Sequence, residues 1–77
     1  MKDKNGKRLL RGDWIKCYYF YPPDENKSYV AKIIDKNVFK RGRTTVNEIV
    51  TTDGIKLPAN VVEKITKEKA MMWKLRN

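Results

Sequence analysis

Histidine is absent from this chain, and cysteine occurs once, as Cys17. Without histidine there is no Ser-His-Asp triad, no Cys-His dyad and no imidazole base. Zinc sites built from paired Cys and His are excluded too, and a lone thiol cannot close an intramolecular disulfide. A single free cysteine fits a reducing cytoplasm better than a secreted setting. Long apolar runs are also missing: nothing approaches the roughly 20 residues that span a bilayer. The polar opening Met1-Lys2-Asp3-Lys4-Asn5-Gly6 does not read as a signal peptide. No Gly-x-x-x-x-Gly-Lys-Ser/Thr phosphate loop occurs, and the Asp and Glu residues show no metal-loop spacing. These gaps point to a soluble, cytoplasmic protein that is not an enzyme, with no cofactor, no metal and no membrane partner.

Acidic residues are scarce as well. Nine of them face 18 lysines and arginines, a formal charge of +9 on 77 residues. A field of that sign attracts polyanions and speeds encounter with them. The excess is clustered. Residues 1–12 hold Lys2, Lys4, Lys7, Arg8 and Arg11 against Asp3 alone, and residues 36–43 hold Lys36, Lys40, Arg41 and Arg43 with no acid. The tail adds Lys64, Lys67, Lys69, Lys74 and Arg76 against Glu63 and Glu68.

The length allows one domain, which buries only roughly 60% of the surface that its unfolded chain exposes. Asn5-Gly6 and Arg11-Gly12-Asp13 are turn signals. Residues 14–21, Trp-Ile-Lys-Cys-Tyr-Tyr-Phe-Tyr, are aromatic and β-branched and read as a strand. Pro22-Pro23 breaks it. A second strand over 28–35 should pair with it as an antiparallel hairpin. Val38-Phe39 reads as a short third strand closed by a turn over residues 40–43, and residues 44–52 as another. Asp53-Gly54 signals a hairpin that would pair Thr52 with Ile55 and Val50 with Leu57, placing Val50, Ile55 and Leu57 on one face. Pro58-Ala59-Asn60 reads as a single helical turn before a last strand over 61–65. Composition then shifts to helix formers over 66–77. The expected fold is mainly β: a small five- to six-stranded SH3-like barrel over residues 1–65, with the OB-fold as second choice, and a basic, apolar C-terminal helix or tail over 66–77.

The segment Asp3-Lys4-Asn5-Gly6-Lys7-Arg8-Leu9-Leu10-Arg11-Gly12-Asp13-Trp14-Ile15-Lys16 is similar to the opening signature of YopX-type proteins of phages and prophages, Asp-x-Asn-Gly followed by Gly-Asp-x-Val/Ile. Tyr29-x-Ala31-x-Ile33 loosely echoes that family's Tyr-x-Gly-x-Val strand. The resemblance implies an SH3-like β fold and a phage or mobile-element origin, and it carries no catalytic motif. The signature also has a local rationale. Glycine at 6 and 12 permits tight reversals, and Asp13 can accept backbone N–H bonds.

Two binding surfaces follow from these patterns. If Ile15, Cys17 and Tyr19 face the core, Trp14, Lys16, Tyr18 and Phe20 share the opposite face, joined by Lys32 with Val30 and Ile34 of the next strand. Rings with interleaved lysines suit base stacking and phosphate neutralisation. The loop Lys40-Arg41-Gly42-Arg43 is the most compact basic cluster and suits phosphate contact. The leading expectation is therefore a nucleic-acid-binding module, for DNA or RNA, using Lys40, Arg41, Arg43, Lys16, Lys32, Trp14, Tyr18 and Phe20. The alternative is a phage-derived module that docks on and modulates a host protein through Trp73, Met71, Met72 and Leu75; a homo-oligomer through the same surface is a further possibility. Against an open aromatic face stands a blander arrangement in which residues 66–77 fold back and cover it.

Overall fold

A computed structural model describes residues 1–18 and 28–76. Five antiparallel strands form one sheet, followed by one helix: β1 Trp14–Tyr18, β2 Ser28–Arg41, β3 Thr44–Thr51, β4 Lys56–Pro58, β5 Val62–Ile65 and α1 Lys67–Arg76. The sheet order is β4-β3-β2-β1-β5, with a 3-10 turn over Ala59–Val61 joining its two edge strands. Mainly β with a terminal helix is thus the observed class. Among the described residues no helix is long and apolar enough to cross a membrane.

The core lies on one face of this sheet, where Leu9, Ile15, Cys17, Ile33, Ile49, Ala59 and Val62 pack together, with Met1 and Leu57 against them. Period-two alternation brings Ile15 and Cys17 of β1 to the same side, as their spacing predicts. Burial pushes the Cys17 thiol upward from its ordinary pKa, and the charge of Lys4 opposes this only in part. The protonated, buried thiol is a small core hydrophobe.

β2 differs from the expectation. Instead of ending at Asp35 with a separate strand at Val38-Phe39, it continues unbroken for 14 residues. A register shift between Ile33 and Asp35 explains how one strand serves two partners. Residues 28–32 pair with β1, and residues from Ile33 onward pair with β3. The bulge re-aims the strand without ending it, which alternation and propensity alone do not reveal.

The β3–β4 register also differs. Val50 stands opposite Lys56 and Ile49 opposite Leu57, so the pairing is one residue away from the expected one and the inward residue is Ile49 instead of Val50. Thr51 sets this register. It is fully buried, its N–H donates to the Ile55 carbonyl at 3.0 Å, and its hydroxyl accepts from the Ile55 N–H at 3.3 Å. The intervening loop then holds three residues and ends on Gly54 at φ +78°, the left-handed position that three-residue hairpin loops reserve for glycine.

At the amino end, Asp3 is the organising residue. It is only 5% exposed, and its carboxylate accepts N–H bonds from Asn5 at 2.9 Å, Lys7 at 2.8 Å and Lys64 of β5 at 2.7 Å. Burial pushes this carboxyl up, but the three N–H donors and the charge of Lys7 outweigh it, and its pKa lies below the ordinary value. Asp13 closes the next turn by accepting from the Leu10 N–H at 2.8 Å and pairs with Lys64 at 3.2 Å. The aspartates of the amino-terminal signature thus have a structural use, clamping the first 13 residues to β5.

Candidate nucleic-acid interface

The aromatic face expected on β1 is partly covered. α1 packs across β1 and β2, Thr66 caps it by accepting from the Lys69 N–H at 3.2 Å, and Ala70 is fully buried. Trp73 donates its indole N–H to Ser28 Oγ at 3.1 Å. Val30, outward by alternation, is consequently 4% exposed. The helix carries too few apolar residues in one stripe to stand alone, so it uses Ala70 and Trp73, one turn apart, as its contact edge. Met71, Met72 and Leu75 remain on its exposed side, Leu75 at 88%.

What stays open of that face is its Trp14 end. Trp14 is half-buried and stands between Lys32 of β2 and Ile65 of β5. It borders an open cleft of about 360 Å³ with Asp13, Lys32, Lys64 and Lys67. The Lys74 ammonium lies 5.2 Å from the Trp14 ring centroid, a cation–π arrangement that occupies one side of the indole. Lys16 is half-buried with Glu63 directly opposite in register, so its charge is locally balanced. Phe20 and the side chain of Tyr18 lie outside the described residues. Sequence reading did not single out Lys64 and Lys67 as partners of Trp14. They converge on it only because β5 pairs with β1 and the helix begins immediately after.

The second candidate surface is a ribbon. Every residue over 37–45 is exposed, because β2 and β3 run on past the core as a two-stranded hairpin paired down to Arg41 opposite Thr44. Gly42 turns it at φ +64° while Arg43 keeps negative φ, the sign pattern of a type II′ hairpin turn. Lys40, Arg41 and Arg43 therefore sit together at the tip, exposed, and among the described residues none has an ion-pair partner within salt-bridge distance. Between Asp35 and Glu48 the ribbon carries no carboxylate, and Asp35 is itself engaged by Arg11 at 3.0 Å.

The two surfaces are separate. Lys32 and Arg41 lie on the same strand nine residues apart, on the order of 30 Å at ~3.3 Å per residue. Of the eight residues grouped from sequence, Trp14 and Lys32 border the cleft, Lys40, Arg41 and Arg43 share the hairpin tip, and Lys16 lines neither. No group of three or more His, Cys, Asp or Glu side chains converges among the described residues. Comparisons with protein families, with curated proteins and with solved structures find no match to this chain.

Proposed function

We propose that this protein is a nucleic-acid-binding module built on an SH3-like barrel. The observation that carries the reading is the hairpin tip, where Lys40, Arg41 and Arg43 are exposed within four residues of one another and, among the described residues, have no ion-pair partner. Solvated cations held close to one another repel, and a polyanion relieves that repulsion while releasing its own counterions. Lys32 and Lys67 at the Trp14 cleft supply a second set of phosphate contacts. Support for the barrel comes from the long bulged β2 shared by both halves of the sheet and from the 3-10 turn that links edge strands β4 and β5. The amino-terminal signature agrees with a YopX-type, phage-related origin. Electrophoretic mobility shift with single- and double-stranded DNA and RNA at low and high salt tests the reading. Binding that weakens steeply with salt is expected, and no shift with any of the nucleic acids at low salt would eliminate it.

One observation favours a protein partner instead. Met72 and Leu75 are exposed on α1 at 57% and 88%, and an apolar edge on a docked helix suits a protein contact. In that case a host-protein complex isolated from nuclease-treated lysate is lost in Leu75→Asp and kept in Arg41→Gln. The reverse pattern supports nucleic acid.

A further inference from the structure

We propose that the β2–β3 ribbon enters the major groove of double-stranded DNA, with residues 37–47 as the inserted element. This deepens, and rests on, the nucleic-acid reading above. The first support is shape. A major groove about 12 Å wide and about 8.5 Å deep admits a two-stranded β-ribbon. The rungs from Asn37 opposite Glu48 to Arg41 opposite Thr44 extend roughly 13 Å at ~3.3 Å per residue. The exposed ribbon is therefore long enough to lie in the groove with one face, that of Val38, Lys40, Thr45 and Asn47, against the base edges.

Chemistry is the second support. Register places Val38, Lys40, Thr45 and Asn47 on one face of the ribbon and Phe39, Arg41, Thr44 and Val46 on the other. Each face thus offers a cation, an apolar contact and a hydrogen-bonding side chain, the three side-chain kinds that read guanine, the thymine methyl and adenine edges. Val38 is 64% exposed and Phe39 38%. Neither belongs to the core cluster, and Val38 is open for contact on its face of the ribbon.

Charge is the third. Residues 36–47 carry Lys36, Lys40, Arg41 and Arg43 and no acid, matching the phosphate walls of the groove.

Single strands are a poorer fit. They are held mainly by stacked rings, whereas Trp14 of β1, opposite Lys32, lies on the order of 30 Å from the ribbon tip and has Lys74 over its indole. Duplex RNA is a poorer fit too, because its major groove is too deep and narrow for side chains to read.

The test is fluorescence anisotropy on one sequence prepared as duplex DNA, duplex RNA and single-stranded DNA. Competition with methyl green, which occupies the major groove, and with netropsin, which occupies the minor groove, completes it. Duplex DNA is expected to bind roughly tenfold or more tighter than the other two, as loss of base-edge contacts implies, and methyl green alone should displace the protein. Arg41→Gln and Arg43→Gln should each lower the salt slope by about 1. Val38→Ala with Asn47→Ala should weaken duplex binding while leaving that slope unchanged. Circular dichroism serves to show that all three variants fold. Equal binding of single strands or RNA, or displacement by netropsin and not methyl green, overturns the groove inference and leaves the nucleic-acid reading standing. No binding to any of the three overturns both.

Discussion

The two halves of β2 make opposite use of the same extended backbone. In the first half Ser28, Val30, Ala31 and Ile33 are all 6% exposed or less, because β1 lies alongside, the core lies on one face and α1 on the other. In the second half every residue from 37 to 41 is exposed, and among the described residues β3 is the only strand paired with it. Strand pairing alone suffices to keep a ribbon extended, but burial requires a layer on each face. The difference separates a part that holds the fold from a part that faces solvent.

The comparison can be broken hardest at Ile33, the last buried residue before the bulge. Ile33→Ala should cost about 2–5 kcal/mol from a total that for this length is roughly 4–12 kcal/mol, leaving the chain close to unfolding. A urea denaturation midpoint within error of the parent would show that the buried half does not carry the stability. Asp3→Ala comes next. It strands three N–H donors and should cost about 2–4 kcal/mol at neutral pH. The folded-state pKa of Asp3 is lowered, so its stabilisation is fully present above the unfolded value of about 3.9 and is lost as pH falls through the lower, folded one. Denaturation midpoints of parent and variant should accordingly converge below that pH, and a constant gap would contradict the mechanism.

Smaller effects sharpen the contrast. Trp73→Phe removes the indole donor to Ser28 and should cost about 0.5–1.5 kcal/mol. Hydrogen exchange should rise in α1 and at the amino end of β2, with the ribbon amides unchanged. Val38→Ala, at 64% exposure, should move stability by no more than about 0.5 kcal/mol. A thermal melt showing a larger loss would mean that the ribbon is packed against something and not free.

Much of the local structure was legible from residues alone. Gly6, Gly12, Gly42 and Gly54 all adopt positive φ at the turns their neighbours announce, and Ile15 and Cys17 face inward as alternation requires. The long reach of β2 was hidden because Asp35-Lys36-Asn37 between two apolar pairs looks like a break, and a bulge leaves no compositional mark. The register of β4 was hidden for a related reason: Asp-Gly fits a two-residue loop and a three-residue loop equally well, and the buried hydroxyl of Thr51 chose between them. At the candidate site the basic tip was visible as an unbalanced run. The cleft was not, since Lys64 and Lys67 are more than 30 positions from Lys32.

Composition by itself settled the sign of the charge, the lack of a histidine-based reactive centre, the β-rich middle and the helical end, because these depend on residue type and short-range spacing. Tertiary structure decided which cations share a surface, that α1 shelters Val30 while leaving Trp14 at a cleft, and that residues 37–45 are exposed. Those outcomes depend on which strands pair and on what packs over each face, and no local stretch of chain specifies either.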